Sequence, residues 1–346
     1  MKQHPYSNCI FYGHLLPNQP PIYLGLYVDD FVYFFTSNAV EQEFEKLFSS
    51  KIEMTLNGTV THFLGIKFST IHHDDGNITT KLSQEAFVDT LQTQAGLDEE
   101  AVSEPLTPYR SGCPIDTIPL DPTTLLAQQE KLNAQLQTLV GSLNWLSTST
   151  RPDIAHVTNF LAKYTTTATK NHIQAAKHVV RYLKGMQNLG ISFHSKDNST
   201  LNSYVKFPID SSTITALTDA NWGPQDQSHP NPSKPKELEL FKSRSMSGYL
   251  IWLGGPIHWV AKRQSITAHS SAEAEIYATD ECVKQLIHLS YILDGLDMIQ
   301  DVMSAPTPVY NDNTACIAWA KATTTKGLGH IQMQEKQFAN LLQMIL

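Results

Sequence analysis

Tyr27-Val28-Asp29-Asp30 constrains this chain more than any other stretch of its sequence. Apolar runs flank it on both sides, Pro21-Ile22-Tyr23-Leu24-Gly25-Leu26 before and Phe31-Val32-Tyr33-Phe34-Phe35 after. Such runs, joined by a short polar step, read as the two arms of a β-hairpin. The acidic pair then falls at the tip, where adjacent carboxylates repel each other. A divalent cation relieves that repulsion, and Mg²⁺ takes carboxylate oxygens together with substrate phosphates. A plain polar turn is the competing reading, because Asp is a favoured turn residue.

A chain of 346 residues is long enough for two or three domains, each with its own core. Hydrophobic residues at 41% and charged ones at 17% suit a globular protein rather than a disordered one. The formal net charge of -8 excludes a broadly basic surface, so any nucleic-acid contact has to be local. Cys9, Cys113, Cys282 and Cys316 form no CxxC pair, so neither a zinc site nor a disulfide framework is signalled. That usage suits a reducing compartment. Met1-Lys2-Gln3-His4-Pro5-Tyr6 lacks the apolar core of a signal peptide, and no apolar run reaches membrane-spanning length. The expectation is an intracellular protein, cytoplasmic or nuclear, neither secreted nor membrane-bound.

Residues 40–48, with Glu41, Glu43 and Glu45, read as an amphipathic helix, followed by strands over 61–69 and 77–82. Between those strands, His72-His73-Asp74-Asp75-Gly76 offers metal-ligating types, but consecutive side chains diverge and Asp-Gly is a strong hairpin step. A solvated turn is the better reading. Residues 83–97 read as a helix, and 104–123, rich in Pro, Ser and Thr, as a linker. Helices follow over 125–146, 152–164 and 170–184. In the last, Lys177, Arg181 and Lys184 recur at three- and four-residue spacing and form one basic stripe. It is either a solvated helix face or a phosphate-contacting one.

Composition shifts again near residue 205. Strands are expected over 213–218, 248–253 and 257–263, a long helix over 271–293, a strand over 308–311 and a helix over 314–322. Residues 224–239 form a polar, Pro-containing loop. Asp219 and Asp312 fall at strand ends and Glu275 in the first turns of the long helix. In a sheet whose neighbouring strands end at one rim, the three can converge. Such a group can hold two Mg²⁺ ions roughly 3.5–4 Å apart for phosphodiester hydrolysis. Ser270 and Glu273 fit a capping box, with the glutamate reaching back to the cap's own amide. Glu273 therefore has a structural task of its own, while singly Asp219 and Asp312 also read as strand-end turn residues and Glu275 as a solvent-facing side chain.

Tyr-Val-Asp-Asp in an apolar hairpin resembles the polymerase signature of reverse transcriptases. Phe63-Leu64-Gly65-Ile66, Lys81-Leu82-Ser83-Gln84, Pro105-Leu106-Thr107-Pro108, Leu139-Val140-Gly141-Ser142-Leu143 and Thr150-Arg151-Pro152-Asp153-Ile154 are similar, in order, to landmarks of copia-type retrotransposon Pol polyproteins. Ser245-Met246-Ser247-Gly248-Tyr249, Trp259 and Gln264 continue the resemblance through the ribonuclease H segment.

The resemblance covers nearly the whole chain and implies a polyprotein part truncated at both ends. It implies an α+β fold: the C-terminal half of a reverse-transcriptase palm over 1–107, a helical thumb and connection over 108–205, and a ribonuclease H-like mixed α/β domain over 206–346. It casts Asp219, Glu275 and Asp312 as ribonuclease H ligands for Mg²⁺, with Mn²⁺ as substitute, and Asp29 and Asp30 as a polymerase remnant that also binds metal. It implies an RNA–DNA hybrid or template–primer duplex as partner, with Lys177, Arg181 and Lys184 contacting nucleic acid, and allows assembly with a fuller Pol copy.

Two departures matter. Residues 1–26 contain neither Asp nor Glu, so the polymerase pair lacks the third aspartate of the family. In His330-Ile331-Gln332, glutamine stands where the family commonly has aspartate, and Glu335 is the only acid after Asp312. The expectation is hydrolysis of RNA in RNA–DNA hybrids without polymerase activity. The alternative is an inactive remnant or nucleic-acid-binding protein.

Overall fold

The computed structural model describes residues 1–97, 104–109, 126–195, 212–222, 244–298, 302–303, 306–321 and 342–345. The chain forms two compact units, Met1–Leu64 with Val283–Pro306, and Gly65–Cys282 with Thr307–Leu346. Helices and strands are mixed in both, an α+β architecture. Among the described residues no helix is long and apolar enough to cross a membrane.

In the first unit, β1 (Lys2–His4), β2 (Ser7–Gly13), β3 (Ile22–Tyr27) and β4 (Asp30–Phe34) form an antiparallel sheet in that order. Helix α1 (Asn38–Ser49) and the two-residue strand β5 (His62–Phe63) follow. Ile22 and Leu24, two apart on β3, turn to one face and are buried with Val40 and Phe44 of α1. Val40, Phe44 and Phe48 recur every fourth residue and so share the helix face that meets the sheet. The Phe44 ring lies 4.6 Å from Tyr33 and 4.2 Å from Phe48. Tyr27 pairs with Asp30, so the β3–β4 connection is the two-residue turn Val28-Asp29.

The second unit opens with an antiparallel sheet of β6 (Ile66–His72), β7 (Ile78–Ser83) and β8 (Ile191–His194). The turn after β6 is a hairpin turn, as expected: Gly76 sits at φ 76° and Asp75 Oδ1 accepts from the Asn77 amide at 2.8 Å. Four helices pack beside it, α2 (Glu85–Gln94), α3 (Leu126–Ser149), α4 (Ala155–Ala162) and α5 (Lys170–Gly185). Leu136, Leu139, Leu143 and Leu146 give α3 a continuous buried stripe against Leu91, Leu161, Val180 and Leu183. Gly190 enters β8 so closely that a Cβ there would run into the Leu82 carbonyl. Gly190→Ala is therefore expected to lower stability by about 1–3 kcal/mol, the usual cost of forcing atoms into a packed site, read as a lower urea midpoint.

Pro152–Ile154 is a 3₁₀ turn preceding α4, not part of a single helix over 152–164. Its conformation is tied to Arg151, which is buried although charged. The guanidinium donates to Asp153 through Nε (3.0 Å to Oδ1) and Nη2 (2.7 Å to Oδ2), and through Nη1 to the Met186 carbonyl at 3.1 Å. The Tyr182 hydroxyl donates to the same Asp153 Oδ2 at 2.8 Å.

The second sheet of this unit has the order β11-β10-β9-β12-β13. It comprises β9 (Thr215–Asn221), β10 (Met246–Trp252), β11 (Pro256–Arg263), β12 (Thr307–Tyr310) and β13 (Leu342–Ile345), with α6 (Ser271–Gly295), whose residues from Val283 on belong to the first unit, after β11 and α7 (Thr314–Lys321) after β12. β9, β10 and β11 are antiparallel, while β12 runs parallel to both β9 and β13. Strands β1, β2, β8 and β13 were not anticipated from the sequence. The expected 224–239 loop, most of the 104–123 linker, Cys113, Gln332 and Glu335 lie outside the described residues.

Candidate metal centre

Strand register builds the site. β12 pairs with β9 in parallel through Val309 with Ala216 and Tyr310 with Leu217. Two residues beyond Tyr310 stands Asp312, just past the end of β12, and two beyond Leu217 stands Asp219, which is not at a strand end as expected but inside β9, paired with Gly248 of β10; β9 continues past the end of β12, and this brings the two acids side by side. Glu275 reaches them from the first turns of α6. One carboxylate oxygen from each of the three lies within 4.8 Å of the others.

Their surroundings differ. Asp219 and Asp312 are exposed, whereas Glu275 is buried. Burial is the main reason the Glu275 carboxyl is held above the usual carboxylate range. Hydrogen bonds from Asn311 and the Ala220 backbone pull the other way, and the charges of Asp219 and Asp312 add to the rise. The result is a concentration of hard oxygen donors, two of the three exposed. That donor set fits Mg²⁺ or Mn²⁺.

Glu273, two residues from Glu275, has a different task. Its backbone N–H donates to Ser270 Oγ at 3.1 Å, and its own Oε2 accepts from the His269 amide at 2.6 Å. The carboxylate thus reaches the residue before the cap rather than the cap itself, correcting the expected capping box by one position. Glu273→Ala is expected to cost about 1 kcal/mol in thermal unfolding, as cap losses do, and to leave metal binding intact.

Gln264 and Trp259 hold this sheet in place. Gln264 Nε2 donates to Ser247 Oγ at 3.0 Å and to the Ala274 carbonyl at 2.8 Å, linking the β10–β11 pair to α6. Trp259 Nε1 donates to the Ser147 carbonyl of α3 at 2.6 Å. Sequence reasoning missed Asn311: buried beside the carboxylates, it donates to Glu275 Oε2 at 3.0 Å. Its position after a strand and before Asp312 gave it the look of an ordinary turn residue.

Asp29 and Asp30 lie elsewhere, in the first unit. Both are exposed at the β3–β4 turn, where Val28 adopts φ 55°, a strained conformation for a β-branched residue. Among the described residues they do not gather a third acid, histidine or cysteine. Lys177, Arg181 and Lys184 share one side of α5 and are each half-buried. Lys184 Nζ is paired with Asp89 of α2 at 2.7 Å, which holds the Asp89 carboxyl below its ordinary range chiefly through that hydrogen bond.

No family model matches the chain. It is 26% identical over 298 residues, 84% of its length, to the retrovirus-related Pol polyprotein of transposon TNT 1-94 from Nicotiana tabacum, and 24% identical over 296 residues to that of transposon RE1 from Arabidopsis thaliana. It covers 19% and 17% of those polyproteins. An uncharacterised mitochondrial protein of Arabidopsis thaliana is 30% identical over 260 residues, and there the match spans 90% of the relative and 74% of this chain. The ordered motifs and these relatives together place the chain in the copia-type retrotransposon Pol family, of whose polyproteins it represents about a fifth.

Proposed function

We propose that the unit carrying Asp219, Glu275 and Asp312 is a ribonuclease H that hydrolyses the RNA strand of RNA–DNA hybrids. The observation that carries this reading is the convergence of the three carboxylates within 4.8 Å at the rim of a mixed sheet. The element order, three antiparallel strands, a long helix, a parallel strand and a helix, also supports a ribonuclease H-like arrangement.

Asp219, Glu275 and Asp312 would hold Mg²⁺ or Mn²⁺, which when bound supplies Lewis-acid activation of water and neutralises charge developing on the phosphate. Glu275 forms the fixed inner wall, and the two exposed aspartates face the side from which a backbone phosphate approaches. The cleaved phosphodiester leaves a 5′-phosphate and a free 3′-hydroxyl, with no covalent link to the protein. Lys177, Arg181 and Lys184 are proposed as backbone contacts, with Lys184 exchanging its pairing with Asp89 for a phosphate; an exposed ion pair of this kind is worth about 1 kcal/mol or less and is readily exchanged. Asp29 and Asp30 are assigned no polymerase activity in this chain alone.

The test is cleavage of a labelled RNA–DNA hybrid by the purified protein with Mg²⁺ or Mn²⁺. Activity that disappears in Asp219→Asn is the expected result. A folded protein that binds the hybrid in a salt-dependent manner without cutting it would overturn the enzyme reading in favour of a nucleic-acid-binding one.

A further inference from the structure

We infer that Asn311 is a positioning residue for the metal centre, holding the Glu275 carboxylate in its ligand geometry before any ion arrives; this rests on the reading of the three carboxylates as a metal site. Asn311 is 3% exposed and its amide is committed at both ends. Its Oδ1 accepts from the Asn313 backbone N–H at 2.8 Å, which fixes which end of the amide faces inward. Its Nδ2 then points at Glu275 Oε2 and Thr218 Oγ1, each at 3.0 Å, and at Thr279 Oγ1 at 3.4 Å.

These partners make the amide a junction. Thr218 precedes Asp219 on β9, Thr279 lies one helical turn after Glu275 on α6, and Asn311 precedes Asp312. One side chain is therefore bonded to the element bearing each of the three acids. The turn that follows is also held: Asn313 Oδ1 accepts from the Cys316 amide at 3.0 Å and caps α7. Without the Asn311 donor the Glu275 carboxylate would keep the Ala220 backbone hydrogen bond but lose the one that ties Oε2 to β12, and the ion would have to complete its ordering on binding. Outer partners of this kind commonly change metal affinity or activity by about ten- to a hundredfold.

Asn311→Ser separates positioning from folding. A serine hydroxyl can still accept from the Asn313 amide in the same local turn, but stops short of Glu275. Mn²⁺ binding, measured by the electron paramagnetic resonance of the free ion, is expected to weaken about ten- to a hundredfold relative to wild type. Half-saturating Mg²⁺ for cleavage should rise in step, with the rate recovering at high Mg²⁺. Ile317→Ala, which loosens α7 without touching these hydrogen bonds, should lower the melting temperature and leave Mn²⁺ affinity unchanged. Asn311→Ala serves as a second variant with the same expected loss of affinity. Wild-type Mn²⁺ binding with unchanged affinity in the Asn311 variants would overturn the inference alone. Absence of Mn²⁺ binding by the wild type would overturn the metal-centre reading and the inference with it.

Discussion

Exchanging Asp219 for Asn is expected to end hydrolysis and, in metal-free buffer, to make the protein more stable. Asp219, Glu275 and Asp312 hold their oxygens within 4.8 Å of one another. Two unit charges at that separation repel by about 1 kcal/mol in water and about 3.5 kcal/mol at the higher interaction strength near a protein surface. Because Asp219 and Asp312 are exposed, the lower figure applies, and removing one charge, which faces two others, should raise unfolding free energy by about 1–2 kcal/mol. Chelation of the ion is worth several kcal/mol to the transition state, so cleavage should fall about a thousandfold or more.

The pH dependence has a definite sign. The folded-state value of Glu275 is raised above the unfolded one, so its contribution to stability is fully present below the ordinary carboxylate range and is lost as pH climbs through the raised value. Metal-free wild type should thus gain stability on mild acidification, and Glu275→Gln should flatten that gain. Mg²⁺ should reverse the neutral-pH penalty in wild type, by about 2.7 kcal/mol at a hundred times its dissociation constant, and do little for Asp219→Asn. Thermal melts with EDTA and with Mg²⁺ check both statements. A destabilised Asp219→Asn protein in EDTA would show that the three carboxylates do not repel.

The second large effect lies away from the metal centre. Asp153→Ala is expected to destabilise the protein by about 3 kcal/mol, because it strands a buried guanidinium. The Arg151 side chain is 2% exposed, that of Asp153 31%. Removal of the carboxylate also takes the acceptor from Tyr182. Partial exposure of Asp153 keeps the expected cost at the low end of the range for broken buried pairs. The double variant Arg151→Met, Asp153→Ala should recover much of the loss, since no buried charge remains. Urea unfolding of the two variants decides this. Equal destabilisation of both would mean that lost packing around Arg151, not the orphaned charge, sets the cost.

Asp312 and Glu275 were legible because a strand end and a helix start are marked locally, by Asp312 after Val309-Tyr310 and by Ser270 ahead of Glu275, whereas Asp219 was expected at a strand end and lies inside β9, paired with Gly248. What was hidden depends on pairs far apart in the chain or on burial. Asn311 is a turn residue by sequence and a buried donor only because β12 docks beside β9. Arg151 and Asp153 look like surface charges two residues apart, and only the packing of α3, α4 and α5 shows that one of them is enclosed. The Lys177, Arg181 and Lys184 stripe was correctly placed on one side of α5, but its half-burial and the Lys184–Asp89 pair depend on α2, whose approach no periodicity encodes. Strand β8 is four residues long and β2 alternates weakly, so neither carried enough pattern to stand out from loop.

The parallel pairing of β12 with β9 bears on how this protein reaches its native state. The paired residues are separated by about ninety positions of chain, so closing that loop costs more entropy than any hairpin in the molecule. Parallel contacts of such long range form slowly and late. Asp312 cannot join Asp219 until that step is complete. During refolding, the capacity to capture Mn²⁺ should therefore lag behind the recovery of helical circular dichroism, and the delay would time the docking of a single strand.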